Sequence, residues 1–279
     1  MNIKRRLDRQ NERRIFIMKK IIALLLAMVM VFALVACGAS DSAATDLDYI
    51  KGNKKMIIGY TVYEPMNFTD ANGEFTGFDT ELAKVVCEKL GVAPEFVVIN
   101  WDTKEVALAA KDIDCIWNGM TLTAEREANM ACTVPYVKNA QVVVVKAGTE
   151  YKDTATLIGK TVCAEIGSAG EGMCKGDDAD ANLAKANYVG KAVQTDCLME
   201  VKAGTADAAV LDMTLANSMI GEGTNYADLK VVDYLAEENY GVAFRKDSNT
   251  RDEVNKIFAE LVADGTMKKI ADKYGLELA

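Results

Sequence analysis

Short apolar runs alternate along the chain with longer stretches in which apolar residues recur at helical spacing, so the pattern predicts strands and helices in turn. Residues 56–59, 95–99 and 113–117 read as strands; 80–90 and 104–110 read as helices, the first closed by Gly91. The run QVVVV at 141–145 opens a second set, with strands at 161–164 and 208–211 and helices at 195–203 and 213–220. After a strand at 240–244 the chain closes with two helices, 251–263 and 267–274. This alternation is α/β grammar and predicts a mainly parallel sheet. Two segments echo each other, DCIWNGMT at 114–121 and DAAVLDMT at 207–214. Each would bring the carboxyl end of a strand to the same side of a sheet, where open α/β folds bind ligands. Two such ends facing each other would make a cleft.

The first 37 residues differ in kind. Lys19 and Lys20 lead into the apolar run IIALLLAMVMVFALVA, followed at once by CGAS. That run is short of the ~20 residues of a spanning helix, and its charged, apolar, small-residue order is that of a secretory signal. Residues 1–36 are therefore expected to be removed, with Met18, at the head of MKKIIALLL, as the expected true start. LVAC, residues 34–37, resembles a bacterial lipoprotein box, which implies cleavage before Cys37 and lipid on that cysteine. An ordinary cut after Ala36 would instead release a soluble protein. Each buried acyl methylene contributes ~0.8 kcal/mol, so several chains on one cysteine would hold the protein at the membrane. Residues 37–49 then read as the lipidated cysteine and a polar tether.

Half of the residues are apolar, enough to bury a substantial core. Removing residues 1–37 takes away eight Lys/Arg and two Asp/Glu and moves the formal charge from −9 to −15. A body so acidic repels phosphate backbones, which argues against nucleic acid as a partner. Six cysteines remain, Cys87, Cys115, Cys132, Cys163, Cys174 and Cys197. An even number in an exported protein permits disulfides, but Cys87 and Cys115 sit in apolar runs and read as buried thiols. Cys163 with Cys174 is the one pair that suggests a bridge. The chain has no histidine, which removes Ser/His and Cys/His nucleophile pairs and most zinc sites. No metal and no cofactor is expected.

The residues that carry chemistry follow the two echoed segments. Thr123 can cap a helix starting at Ala124, which puts Arg126 in its first turn, an unfavourable place for a cation unless it reaches an anion beside the strand end. A guanidinium pairs with a carboxylate through two parallel hydrogen bonds, and Thr121 and the backbone around Gly119 could donate to the same oxygens. The competing reading is a solvated arginine on a surface turn. Asp212 stands at the matching place in the second segment, where it could receive an ammonium group or simply cap the helix that follows. One anion receptor and one cation receptor at equivalent strand ends match the zwitterion of an α-amino acid.

From about Lys54 to its end, the chain resembles the bacterial extracellular amino-acid-binding proteins of ABC transporters, the polar amino acid group of solute-binding proteins. GEFTGFDTELAKVVCEKLGV at 73–92, DIDCIWNGMTLTAER at 112–126 and VADGTMKKIADKYG at 262–275 carry the resemblance. It implies a two-lobed, type II periplasmic-binding-protein-like α/β fold, each lobe an open mixed sheet flanked by helices, with a two-strand hinge. Lobe 1 would take residues 50–141 and 241–279, and lobe 2 residues 142–240. The resemblance places Gly119, Thr121 and Arg126 around the ligand carboxylate and Asp212 at its ammonium, with Asn118 also among the ligand-binding residues. Tyr63 and Trp101 fall where aromatic rings sandwich the ligand's stem, although apart from the resemblance core packing is the preferred reading of both. Ser168 and Ala169, in EIGSAG, fall where backbone amides at a helix start bind carboxylate. Tyr60 stands where relatives carry an acid near the ligand side chain, and Met66 and CTVPY at 132–136 also depart from the usual pattern. Glu165 falls among residues that set specificity: its carboxylate could select a cationic side chain or lie exposed at the cleft rim.

The resemblance thus implies a lipid-anchored, extracellular, monomeric binding protein that closes around one amino acid and delivers it to permease subunits, with no catalytic residue. The chain lacks a Gly-rich Lys-Ser/Thr phosphate loop, so ATP would be hydrolysed elsewhere. Two other readings stand beside it. A dehydratase on the same fold would use Glu165 or Asp212 as a general acid, and a sensory or adhesive surface lipoprotein would use the cleft for neither transport nor catalysis.

Overall fold

Strands and helices alternate as the polarity pattern requires in the computed structural model, which describes residues 44–176 and 179–279. The expected signal, Cys37 and most of the tether lie outside the described residues. Eight strands run edge to edge in one sheet, numbered in chain order: β1 (Lys55–Tyr60), β4 (Ala93–Val98), β5 (Cys115–Thr121), β7 (Val137–Lys146), β8 (Thr161–Glu165), β9 (Asn187–Lys191), β10 (Ala208–Asp212) and β11 (Leu229–Phe244). Their spatial order is β4-β1-β5-β11-β7-β10-β8-β9. Short strands β2 (Phe68–Thr69) and β3 (Phe75–Thr76) form a separate pair, and β6 (Ala131–Cys132) joins β11.

The sheet is parallel on both flanks and antiparallel in the middle. β4, β1 and β5 are parallel, as are β10, β8 and β9. β7 and β11 run antiparallel to each other from Leu229 opposite Lys146 to Tyr240 opposite Val137, and each also pairs antiparallel with one flank. β5 and β10 therefore end beside the same two crossing strands, which brings Thr121 and Asp212 toward each other.

Helices cover the faces. Phe78–Leu90 buries Phe78, Leu82, Ala83 and Val86 against Val254, Ile257, Phe258 and Leu261 of the helix Thr250–Ala263. Full burial of such side chains contributes roughly 1.5–3 kcal/mol each. A second cluster, with Val143, Val145, Val162, Leu183 and Val210, lies on the β10-β8-β9 flank.

Four expectations are corrected. The end of the expected tether is a helix, Asp46–Gly52, with a capping box between Thr45 and Asp48 and a fully buried Ile50. Asp46 pairs with Arg245 at 2.8 Å, so the folded body begins before residue 50. β11 is sixteen residues long where the apolar run marks only its last five. β5 starts two residues later than its apolar run and carries Asn118 and Thr121 inside the protein. All six described cysteines, Cys163 and Cys174 included, are free thiols. Burial raises the thiol pKa of Cys87 and of Cys174 to about 12, which keeps both inert.

Candidate functional site

Side chains from both flanks of the sheet converge on one small cavity. Thr61, Tyr63, Trp101, Asn118, Gly119, Thr121 and Arg126 line it from one side, and Glu165, Ser168, Ala169, Gln194 and Asp212 from the other. Ten of the eleven residues singled out from the sequence are thus brought together.

Arg126 is no surface arginine. Thr123 caps the helix Ala124–Asn129 by accepting from the Arg126 N–H, and the side chain is only 8% exposed. Its guanidinium donates to the carbonyls of Thr121 (2.8 Å) and Gly167 (3.0 Å), one from each flank. No carboxylate among the described residues forms an ion pair with it. Burial disfavours its charge, and Glu238 and Asp212 nearby support it. The cation is thus buried on two carbonyls with no ion-paired carboxylate among the described residues, an arrangement that leaves it able to take an anion.

Asp212 does not cap the helix Met213–Met219 with its side chain. Instead, its carboxylate accepts from Asn139 Nδ2 (2.7 Å), Gln141 Nε2 (2.6 Å) and Gln194 Nε2. Burial pushes its pKa up while these donors pull it down. Glu165 is buried too, 4% exposed, so it is not a rim residue. Its Oε1 has no hydrogen-bond partner, and burial first, then Asp212, push its pKa up to about 8.

Lys104, on the helix Lys104–Ala110, braces the Gly167 carbonyl that Arg126 also holds, and no sequence signal marked it. Its Nζ donates to the carbonyls of Trp101 (3.1 Å) and Gly167 (2.9 Å), and burial, then Arg126, pull its pKa down to about 8. Gly167 is held this close by its own lack of a side chain, since a Cβ there would lie 3.0 Å from Asp102 Cα at φ +76°.

Other expectations need correction. Tyr60 does not line the cavity: its ring packs on Phe75 and Phe96, at centroid distances of 4.9 and 6.2 Å. Consecutive residues of an extended chain face opposite ways, so its neighbour Thr61 faces the cavity in its place. The Gly119 N–H does not reach a ligand either, because it donates to buried Asp79 at 2.6 Å, whose other oxygen accepts from Tyr136 at 2.8 Å. What Gly119 supplies is room: at φ +56°, a Cβ would meet Tyr63 at 2.8 Å and Tyr240 at 3.0 Å. The Thr121 hydroxyl is engaged by Glu238 at 2.8 Å. Asn118 braces Thr61, accepting from its N–H at 2.5 Å. The Ser168 hydroxyl caps the helix Ala169–Cys174 by accepting from the Glu171 N–H at 3.1 Å. Tyr63 is buried, with its hydroxyl hydrogen-bonded to that of Tyr240.

A cavity between the strand ends of a mixed sheet, with a bare guanidinium opposite a carboxylate, agrees with what the comparisons find. Residues 56–277 match the bacterial extracellular solute-binding proteins, family 3. The chain belongs to this family. Its fold is accordingly the type II periplasmic-binding-protein fold, and the protein is exported. The arginine-binding extracellular protein ArtP of Bacillus subtilis is 30% identical over 259 residues, 92% of this chain and 98% of that one. The histidine-binding periplasmic protein of Salmonella typhimurium is 31% identical over 220 residues, 76% of this chain and 84% of that one. Among solved structures, a mutant of ArgBP from T. maritima superposes with a TM-score of 0.74 at 32% identity, covering 82% of this chain and 98% of that one. The ancestral amino acid-binding protein AncCDT-1, a precursor of cyclohexadienyl dehydratase, gives a TM-score of 0.72 at 31% identity, with 82% and 98% covered.

Proposed function

We propose that this family member captures an L-amino acid with a cationic side chain, closes around it, and delivers it to the permease of an ABC transporter. Arg126 receives the carboxylate, Asp212 the ammonium, and Tyr63 and Trp101 flank the stem. The observation that carries the cationic preference is the third charge position. Glu165 presents a buried, unpartnered oxygen to a cavity that already holds one group for each end of a zwitterion. Lys104 does not satisfy it, because its Nζ is held by the two carbonyls. The names of ArtP and of the histidine-binding protein point to the same ligand class.

The lobes of this reading are residues 50–141 with 241–279, joined by the helix Asp46–Gly52, and residues 142–240. β7 and β11 are the hinge. A ligand touching Arg126 on one side and Asp212 on the other binds the closed form better, and so shifts the population toward closure. Lipid on Cys37 would keep the protein at the outer face of the membrane. Cys37→Ala should then release it to the surrounding fluid, with retention at the membrane counting against the anchor.

A thermal-shift screen against the common amino acids tests the function, since a ligand at 100 times its Kd adds ~2.7 kcal/mol to apparent stability. L-arginine, L-lysine or L-histidine should give the largest shift. Glu165→Gln should weaken their binding about tenfold or more and leave neutral amino acids unaffected; equal effects on both would remove Glu165 as the selector. Turnover of a prephenate-like substrate by the purified protein would replace binding with dehydration, with Glu165 as the acid.

A further inference from the structure

Glu238 lies on β11, outside the receptor just described, yet it is tied to Asp212 through shared donors. Its Oε1 accepts from Thr121 Oγ1 (2.8 Å), Asn139 Nδ2 (2.6 Å) and Gln141 Nε2 (2.9 Å). The same two amide nitrogens donate to Asp212 Oδ1 at 2.7 and 2.6 Å. Two oxygens that share two donors sit side by side. Like charges in such contact do not both ionise at neutral pH, as in other carboxyl dyads.

The groups facing this pair are few. Arg126 is a cation near the pair, but its guanidinium is turned to the Thr121 and Gly167 carbonyls. Lys104 is engaged on Trp101 and Gly167, Glu165 adds a third acid, and Tyr63 and Tyr240 hold each other's hydroxyls. Burial first, then Asp212, push Glu238 up to about 8. Glu238 also borders an outer recess, together with Thr121, Gln141 and Arg126, which gives the pair a way to solvent.

We propose that Asp212 and Glu238 hold one proton between them before ligand arrives, and that the ammonium of the incoming amino acid takes that proton's place. This rests on the reading of Asp212 as the ammonium acceptor. The exchange balances: one carboxyl O–H ionises, its proton leaves to solvent through the recess, and the pair goes from one negative charge to two as the ammonium brings one positive charge. Within the ammonium subsite the net charge is unchanged, because the ammonium's positive charge replaces the proton's, while the ligand carboxylate is met by the charge Arg126 already carries. Glu238 is a positioning residue in this scheme, acting through Asp212. Protons compete with ligand, so affinity falls toward acid.

Titration calorimetry of the protein with L-arginine at pH 6.5, in buffers of different ionisation enthalpy, counts the protons released. Glu165→Gln is the reference background, because a cationic side chain would also displace a proton from Glu165. In that background, close to one proton per ligand is expected, and close to none once Glu238→Gln is added, since an amide still donates to Asp212 but does not titrate. Binding without release in the reference, or release that persists with Glu238→Gln, overturns the exchange while leaving amino-acid capture intact. Failure of L-arginine and the other amino acids to bind overturns both. Should the double variant not fold, the Glu165→Gln protein decides alone. Its Kd should fall ~tenfold per pH unit from pH 5 to 7, and a flat profile overturns the proposal.

Discussion

Arg126 shows how a single side chain is placed by local chemistry and then used by distant chemistry. Thr123 stops the chain at the end of β5 and starts a one-and-a-half-turn helix, which turns the arginine back across the strand end. Its charge is solvated by two carbonyls and by no carboxylate, so removing it should cost the fold little and the function much. Arg126→Ala is expected to weaken amino-acid binding on the order of 100-fold or more, the scale for truncating one partner of a buried charge pair, with stability held within about 1 kcal/mol. Calorimetry and urea denaturation on the same sample separate the two effects, and unchanged affinity would reject the site. Asp212 was legible in the sequence because it directly ends the apolar run 208–211, and Arg126 because it stands five residues past the echoed segment 114–121, in the first turn after a capping threonine. Gln194 and Glu238 were not. They reach the site through register and strand crossing, and neither sits beside an echoed motif. Tyr60 was misread by one position, which in an extended chain is the difference between the two faces of a sheet.

Elements with a strong apolar rhythm could be read nearly to the residue, as the helix Lys104–Ala110 shows. β11 could not, and its own geometry explains why. Its pairing with β7 slips between Val231 and Asp233 and again between Tyr234 and Ala236, so apolar and polar positions stop alternating where the strand bulges. The helix Asp46–Gly52 was hidden for a different reason. Its seven residues bury only Ile50, and what fixes it is polar: the Thr45–Asp48 box, the Asp46–Arg245 pair and the Leu47 N–H donated to Asn249. Arg245 in turn holds Asp114 at 2.9 Å, linking this helix to the start of β5. Ile50→Ala should therefore lower stability by ~2–5 kcal/mol, as for other large-to-small changes at full burial. A change near zero in chemical denaturation would mean the segment is peripheral to the fold.

At the scale of the whole molecule, buried acids give the protein an unusual response to pH. Asp79 is raised to about 7, and Glu165 and Glu238 to about 8, in each case chiefly by burial. Between pH 5 and 7 the folded state therefore holds protons that the unfolded chain has already released. Stability falls as pH rises wherever the native state binds more protons. Unliganded protein should melt at a higher temperature near pH 5 than near pH 7.5, and Glu238→Gln should lessen the difference; a melting point that climbs across this window would contradict the burial of these carboxyls. The antiparallel middle of the sheet has a temporal consequence as well. Lys146 and Leu229 stand opposite each other, so residues 147–228 leave the central strands and return at the same point. The flank built from that stretch is contiguous in sequence, and loop closure within it is short-range. The other flank needs both ends of the chain, because Phe78 and Leu82 are buried against Phe258 and Leu261. During refolding, the middle of the polypeptide can thus organise first, while β1, β4 and β5 wait for the last thirty or so residues to dock.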